Sequence, residues 1–276
     1  MEIKARALLF ALIWMVAALA GGAAFAIGDE GADGRFERRE SFHFTLYQDV
    51  DIDEYGGLRG SRAFEQQVLR ELEAAYDLLD KLLSLRPEKK LIVYVWDATL
   101  FDAQFAGLFR FPAAGFYGGS IHIRGGQAVN SSLVRVLHHE LVHAAFDAEA
   151  PRLRLPAWMN EGIAEWFEAR AVGKRSLSGR ESAVLKEMAK RGALFSIADL
   201  SAPSLGGFGP EAAGLAYLQS YGMIDYLVQR RGGEDNLVKF WSGVLRSGSL
   251  GRGAKRAYRE DLAGLDEGFR QSLGAR

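Results

Sequence analysis

Residues 136–146 read VLHHELVHAAF, and three of the chain's five histidines fall inside them. The informative frame is His139-Glu140-Leu141-Val142-His143, an H-E-x-x-H string. A helix turns about 100° per residue, so positions i and i+4 share a face, and His139 and His143 can point at one ion. Glu140 is rotated about 100° from His139, close enough to reach a water on that ion but poorly placed to join the ligands. The opposite face carries Leu133, Val134, Leu137, Leu141, Ala144 and Ala145, which predicts burial against a core. An apolar back and one polar edge suit the base of a cleft. His138 lies about 100° to the other side of His139, off the ligand face, and reads as a packed or hydrogen-bonded histidine.

Two histidines do not make a catalytic metal site. Three protein ligands and one open water position are needed. The candidate third ligand is Glu161, in the string Asn160-Glu161-Gly162-Ile163-Ala164-Glu165. Trp158, Met159 and Ile163 beside it predict a buried helix, where a lone carboxylate requires a cation. Glu165 sits one turn on, on the same face, and Glu168 reads as part of a solvated acidic face.

H-E-x-x-H followed by N-E-G-x-A-E, with 17 residues between His143 and Glu161, resembles the gluzincin branch of the zinc metallopeptidases, the peptidase MA-like group. The resemblance implies a zincin-like fold and Zn2+ held by His139, His143 and Glu161. It gives Glu165 the place of the acid that orients a ligating histidine, accepting the second ring N–H of His139; Asn160 joins it as a supporting group. AYLQSYGMIDYLVQRRGG (216–233) is similar to the aminopeptidase stretch in which a tyrosine steadies the oxyanion, and Tyr217 falls on that place. Tyr221, one turn on, could reach the cleft by spacing alone. One departure matters. Aminopeptidases of this branch carry G-x-M-E-N upstream, whose Glu grips the substrate's free amine. The corresponding turn here, Ala114-Gly115-Phe116-Tyr117-Gly118-Gly119, has no acid.

Composition agrees with an exported globular domain. Hydrophobic content is 49% and charged content 25%, ordinary globular values. The net charge of −1 points to no nucleic-acid partner. Residues 7–27 carry no charge, follow Lys4 and Arg6, and contain Ala24-Phe25-Ala26, the small-x-small pattern read by signal peptidase. Residues 1–26 are therefore expected to be a signal peptide cleaved after Ala26. The alternative is an uncleaved membrane anchor, since the run is just long enough to span a bilayer. With no cysteine, disulfides, thiolate nucleophiles and Cys-ligated zinc are excluded.

Residues 27–40 read as a charged, Gly-rich linker, and 41–276 as the metallopeptidase domain. Its α+β order places a mixed α/β lobe (about 41–147) before an all-helical lobe (about 148–276), with the metal site between. Strands are expected at 41–50, with His43 a surface strand residue, at 90–96, and after a glycine turn within 113–123. Helices are expected at 64–85, 131–147, from Pro156, within 172–195, and at 211–231, 234–246 and 259–273, with a Gly/Ser loop before the last. The function expected is zinc-dependent hydrolysis of a peptide or protein substrate, most simply by an endopeptidase with Glu140 as base. The alternative is a non-catalytic, zinc-stabilised exported binding module.

Overall fold

The computed structural model describes residues 36–50, 59–105, 107–108, 113–126 and 128–274. The expected signal peptide, its cleavage point and residues 27–35 of the expected linker lie outside these.

Alternation of period two builds the sheet. Strands β1 (Glu37–Glu40), β2 (Phe44–Asp49), β3 (Leu91–Trp96), β4 (Gly115–Tyr117) and β5 (Ile121–Arg124) are ordered β1-β2-β3-β5-β4. The central pairs β2–β3 and β3–β5 are parallel, and the outer pairs are antiparallel. Phe44, Leu46, Val93, Val95, Ile121 and Ile123 point to one face and enter the main core. Their neighbours Tyr94, Trp96 and His122 point to the other face, where they pack with Phe36, Phe101, Phe105 and Phe116. Each parallel crossover carries a helix, α1 (Arg59–Leu83) between β2 and β3, and α2 (Ala98–Gln104) between β3 and the β4–β5 hairpin. Asp97 caps α2 by accepting from the amides of Thr99 and Leu100.

The rest is helical: α3 (Ser131–Glu149), α4 (Ala157–Ala171), α5 (Gly179–Lys190), α6 (Pro210–Gln229), α7 (Gly233–Ser247), α8 (Leu250–Tyr258) and α9 (Leu262–Ser272). The architecture is α+β, a small mixed sheet followed by a helical C-terminal part. Asn130 caps α3 with its side-chain oxygen on the amide of Leu133, at 2.9 Å. Helix α3 lies between the sheet and α4, packing on β4, β5, α1 and α4.

The described residues correct three expectations. Glu37–Glu40, the end of the expected linker, forms the edge strand β1 on β2, and Arg39 pairs with the buried Glu65 of α1. A charged edge strand looks like a linker because its outward side chains meet water. His43 precedes β2 in a bend; its ring stacks on Tyr76 and its Nδ1 lies 2.6 Å from Glu73. The expected Gly/Ser loop contains helix α8. Glycine costs a helix about 1 kcal/mol relative to alanine, so LGRGAKRAY reads as loop, yet a Cβ on Gly253 would stand 2.8 Å from the Phe240 carbonyl. Glycine is what lets α8 lie against α7. In α3 every residue from Val136 to Phe146 is buried. Its polar edge faces α4.

Candidate metal centre

Helices α3 and α4 are joined by seven residues, 150–156, and run antiparallel, since contacts pair descending positions of α3 with ascending positions of α4. His143 meets Asn160 and Glu161, His139 meets Glu161 and Glu168, and Arg135 meets Glu168. The three expected ligands therefore share one buried seam, each 4% exposed or less.

Their geometry fits a metal. His139 Nε2 lies 3.4 Å and His143 Nε2 3.5 Å from the same Glu161 oxygen, Oε2. That is long for a hydrogen bond. Ligands bound at about 2.0–2.2 Å in a tetrahedral array stand about 3.3–3.6 Å apart. The three ligand atoms all lie within 4.8 Å of one another. His143 Nε2 has no hydrogen-bond partner, although it is buried. The outer nitrogens are engaged: His139 Nδ1 donates to Glu168 Oε2 at 3.2 Å, and His143 Nδ1 to Asn160 Oδ1 at 3.2 Å. Each ring thus presents an Nε2 lone pair to the seam, the tautomer a metal needs.

Without a cation the two carboxyls of the seam respond in opposite ways. Burial works to raise the Glu161 pKa, but the imidazoles, His143 first, outweigh it and bring the carboxyl to about 2. Glu140 shows the opposite result. It is fully buried, neither oxygen has a hydrogen-bond partner, and desolvation lifts its pKa to about 7. A carboxyl that titrates near neutrality and is engaged by no side chain can accept a proton and return it.

Two expectations around the ligands change. The acceptor for His139 is Glu168, not Glu165. Glu168 is buried, not solvated, and its other oxygen takes the Nε of Arg135 at 3.0 Å. The missed signal was the seven-residue spacing. Seven residues are nearly two turns, so Glu168 lies within about 20° of Glu161, nearer than Glu165 at about 40°. Glu165 stands beside them half-exposed, and burial followed by the Glu168 charge pushes its carboxyl to about 8. His138 is placed as expected, buried, with Nδ1 donating to the Val134 carbonyl at 2.7 Å and its ring against Phe167.

Helix α6 forms the next wall. Gly162 lets it approach, since a Cβ there would stand 2.6 Å from the Ser220 carbonyl. Tyr217 is buried on this wall; desolvation, and then the charges of Glu161, Glu165 and Glu140, push its phenol well above the usual tyrosine range. Those are the carboxyls of the seam. Tyr221 faces elsewhere: Lys174 Nζ sits 4.6 Å over its ring, and Asp225 and Glu181 are the main charges acting on it. The edge strand β4 is tied to α3 by Tyr117, whose phenol donates to Asp147 at 2.8 Å.

No curated protein matches the chain in sequence. The family model described as Peptidase MA superfamily matches residues 83–275, a span that contains β3 and every helix from α2 to α9. Members of that superfamily are typically metal-dependent, and the His-His-Glu seam lies inside the matched span. A buried three-ligand cluster, an uncommitted glutamate next to it and a match over most of the chain converge on one assignment: this chain belongs to the peptidase MA superfamily.

Proposed function

We propose that the protein is a zinc-dependent endopeptidase with a zincin-like fold. The observation that carries this reading is the meeting of two imidazole Nε2 atoms on one oxygen of Glu161, beside the unengaged carboxyl of Glu140. Two imidazoles and one carboxylate, with room for a fourth ligand, are the donor set of catalytic zinc. When bound, the ion would acidify water and polarise a substrate carbonyl.

The chain's own residues supply the rest. Glu140 takes the proton of the attacking water at its carboxylate and passes it to the leaving amine. Tyr217, protonated because burial and three carboxyls oppose its ionisation, donates from its hydroxyl to the carbonyl oxygen as charge develops there. Glu168 and Asn160 hold the two rings with their lone pairs inward.

The endopeptidase choice rests on the turn at Ala114–Gly119, which offers no carboxylate to grip a free α-amine. Export, with cleavage after Ala26, is part of the proposal and rests on the N-terminal sequence alone. A non-catalytic metal module would have no use for Glu140, because a structural site needs ligands and no base.

The test separates binding from chemistry. Glu140→Gln is expected to keep about one zinc per chain and lose hydrolysis by about 10³-fold or more, whereas Glu161→Ala loses the metal. Metal analysis alongside peptide digestion reads both. N-terminally blocked peptides should be cut at least as well as free ones. Equal metal loss in the two variants would overturn the roles, and release of single residues from free N-termini only would overturn the endopeptidase reading.

A further inference from the structure

Residues 230–259 carry eight arginines and lysines and two acids, in a chain whose net charge is −1. The excess gathers around one cavity of about 720 Å³, between the end of α6, the first turns of α7 and the end of α8. Arg230, Arg231, Lys239, Arg256 and Arg259 line it, with Tyr258 as an aromatic wall. Among the described residues, no acidic side chain lines it. Along α6 the cavity lies about 18 Å from Tyr217, twelve residues at 1.5 Å each, so it is separate from the metal centre.

The five cations are not equivalent. Arg230 is clamped, donating to Glu260 at 3.1 Å with its guanidinium 5.6 Å from the Tyr226 and Tyr258 rings. Among the described residues, Arg231, Lys239, Arg256 and Arg259 have no ion-pair partner. The neighbouring acid Glu234 is turned toward Arg170, 3.8 Å away. Asn236 braces the loop beneath, donating to the Arg231 carbonyl at 2.9 Å and accepting from Lys239 at 3.3 Å. Like charges held together in a concave site repel one another, and an anion removes that cost.

Arg259 ends α8 with φ 63°, in the left-handed region, at a place where helices ordinarily use glycine. Glycine would relieve the backbone there, so the arginine can be replaced without loss of the helix end.

We propose that this cavity is a binding site for a compact polyanion bearing two or more phosphate groups. Concavity favours such a ligand over a flat surface, and the arginine forks match phosphate oxygens. Two sources share that chemistry, a soluble phosphate compound and the headgroup of an anionic lipid.

The test uses the full chain in a mild nonionic detergent, titrated with tripolyphosphate in a calorimeter. One saturable site per chain is expected, weakening as salt rises. Lys239→Ala/Arg256→Ala/Arg259→Gly should lose roughly tenfold or more in affinity, since two or three phosphate contacts disappear. Arg252→Ala/Lys255→Ala, which removes two α8 cations outside the cavity, should change little. Chelation of a metal at the His-His-Glu seam is common to all variants and cancels in the comparison. Arg259→Gly alone should weaken binding while leaving the melting temperature unchanged or higher, a pair of signs that simple misfolding does not produce. Binding to cardiolipin-containing vesicles, whose lipid headgroup carries two phosphates, measured against phosphatidylcholine alone, assigns the source. Loss of the lipid-dependent part in the triple variant points to a headgroup; its persistence points to a soluble phosphate. Absence of saturable binding, equal losses in triple variant and control, or tighter binding of an acidic peptide of equal charge would overturn the proposal.

Discussion

Glu168 takes one hydrogen bond from His139 and two from Arg135, so its charge is what holds the ring and the guanidinium together. Glu168→Gln keeps the shape and removes the charge, and should weaken metal binding by about 10–100-fold, as loss of a ligand-supporting carboxylate does. Glu165→Gln should leave metal affinity nearly unchanged. Competition against a chromogenic chelator reads both, and the reverse order would return the role to Glu165. For the tyrosines, Tyr217→Phe should lower kcat by about 10²–10³ with KM and metal content little changed. Tyr221→Phe should be mild, because its ring lies under Lys174. Slowing by Tyr221→Phe alone would exchange the two. The ligands were legible from spacing, since H-E-x-x-H and a buried glutamate state their own geometry. The partner of His139 was not: Glu161, Glu165 and Glu168 all lie on one face, and only the packing of α4 on α3 decides which carboxyl reaches which nitrogen.

The seam depends on how closely its helices pack. Gly162 follows the third ligand directly, and a methyl group there would drive α4 and α6 apart at the Ser220 carbonyl. Gly162→Ala should cost about 1–3 kcal/mol of stability, the usual range for overpacking, and reduce metal affinity as well, because Glu161 moves with the backbone. Urea unfolding and metal competition on one preparation test this; a stability loss with unchanged affinity would uncouple the helix contact from the site. On the far face of the sheet, Trp96 Nε1 donates to His122 Nδ1 at 3.1 Å, which requires a lone pair there, and His122 Nε2 lies 2.9 Å from Ser120 Oγ. Burial lowers the His122 pKa from 6.5 to about 4. The folded state thus disfavours the proton that the unfolded chain accepts. Stability from this group is complete above about pH 6.5 and falls as pH drops toward 4, by up to about 3 kcal/mol. His122→Gln should flatten that decline between pH 7.5 and 4.5; parallel declines would show that other groups cause it. Alternation made β2 readable, a β-branched and aromatic run β3, helical spacing α1 and α3, and the Pro156 start α4. β1, α2 and α8 were not, because their stability comes from neighbours: β1 from pairing with β2, and α8 from lying on α7.

For the molecule as a whole, the metal is expected to act as a folding ligand. Glu140, buried without a hydrogen-bond partner, opposes the native state when no cation is near, so stripping the metal should lower the melting temperature and restoring it should raise it. Binding to the native state alone would add about 4 kcal/mol at a thousandfold excess over Kd. A melting temperature indifferent to a chelator would show that the seam holds no ion that matters to stability. The small mixed sheet and the helical C-terminal part follow the order of elements expected from the sequence. The cavity at the end of α6 was not visible, because its cations are scattered along thirty residues and converge only when α7 and α8 fold back. The short α3–α4 connection also bears on the order of events during folding. His139 and Glu161 are 22 positions apart, and closing so small a loop costs a denatured chain little entropy. An unfolded chain can therefore already chelate the ion through these residues. The stabilisation measured on adding metal should then fall short of the value calculated from native affinity, and refolding started with metal present should be faster than refolding in which metal is added last.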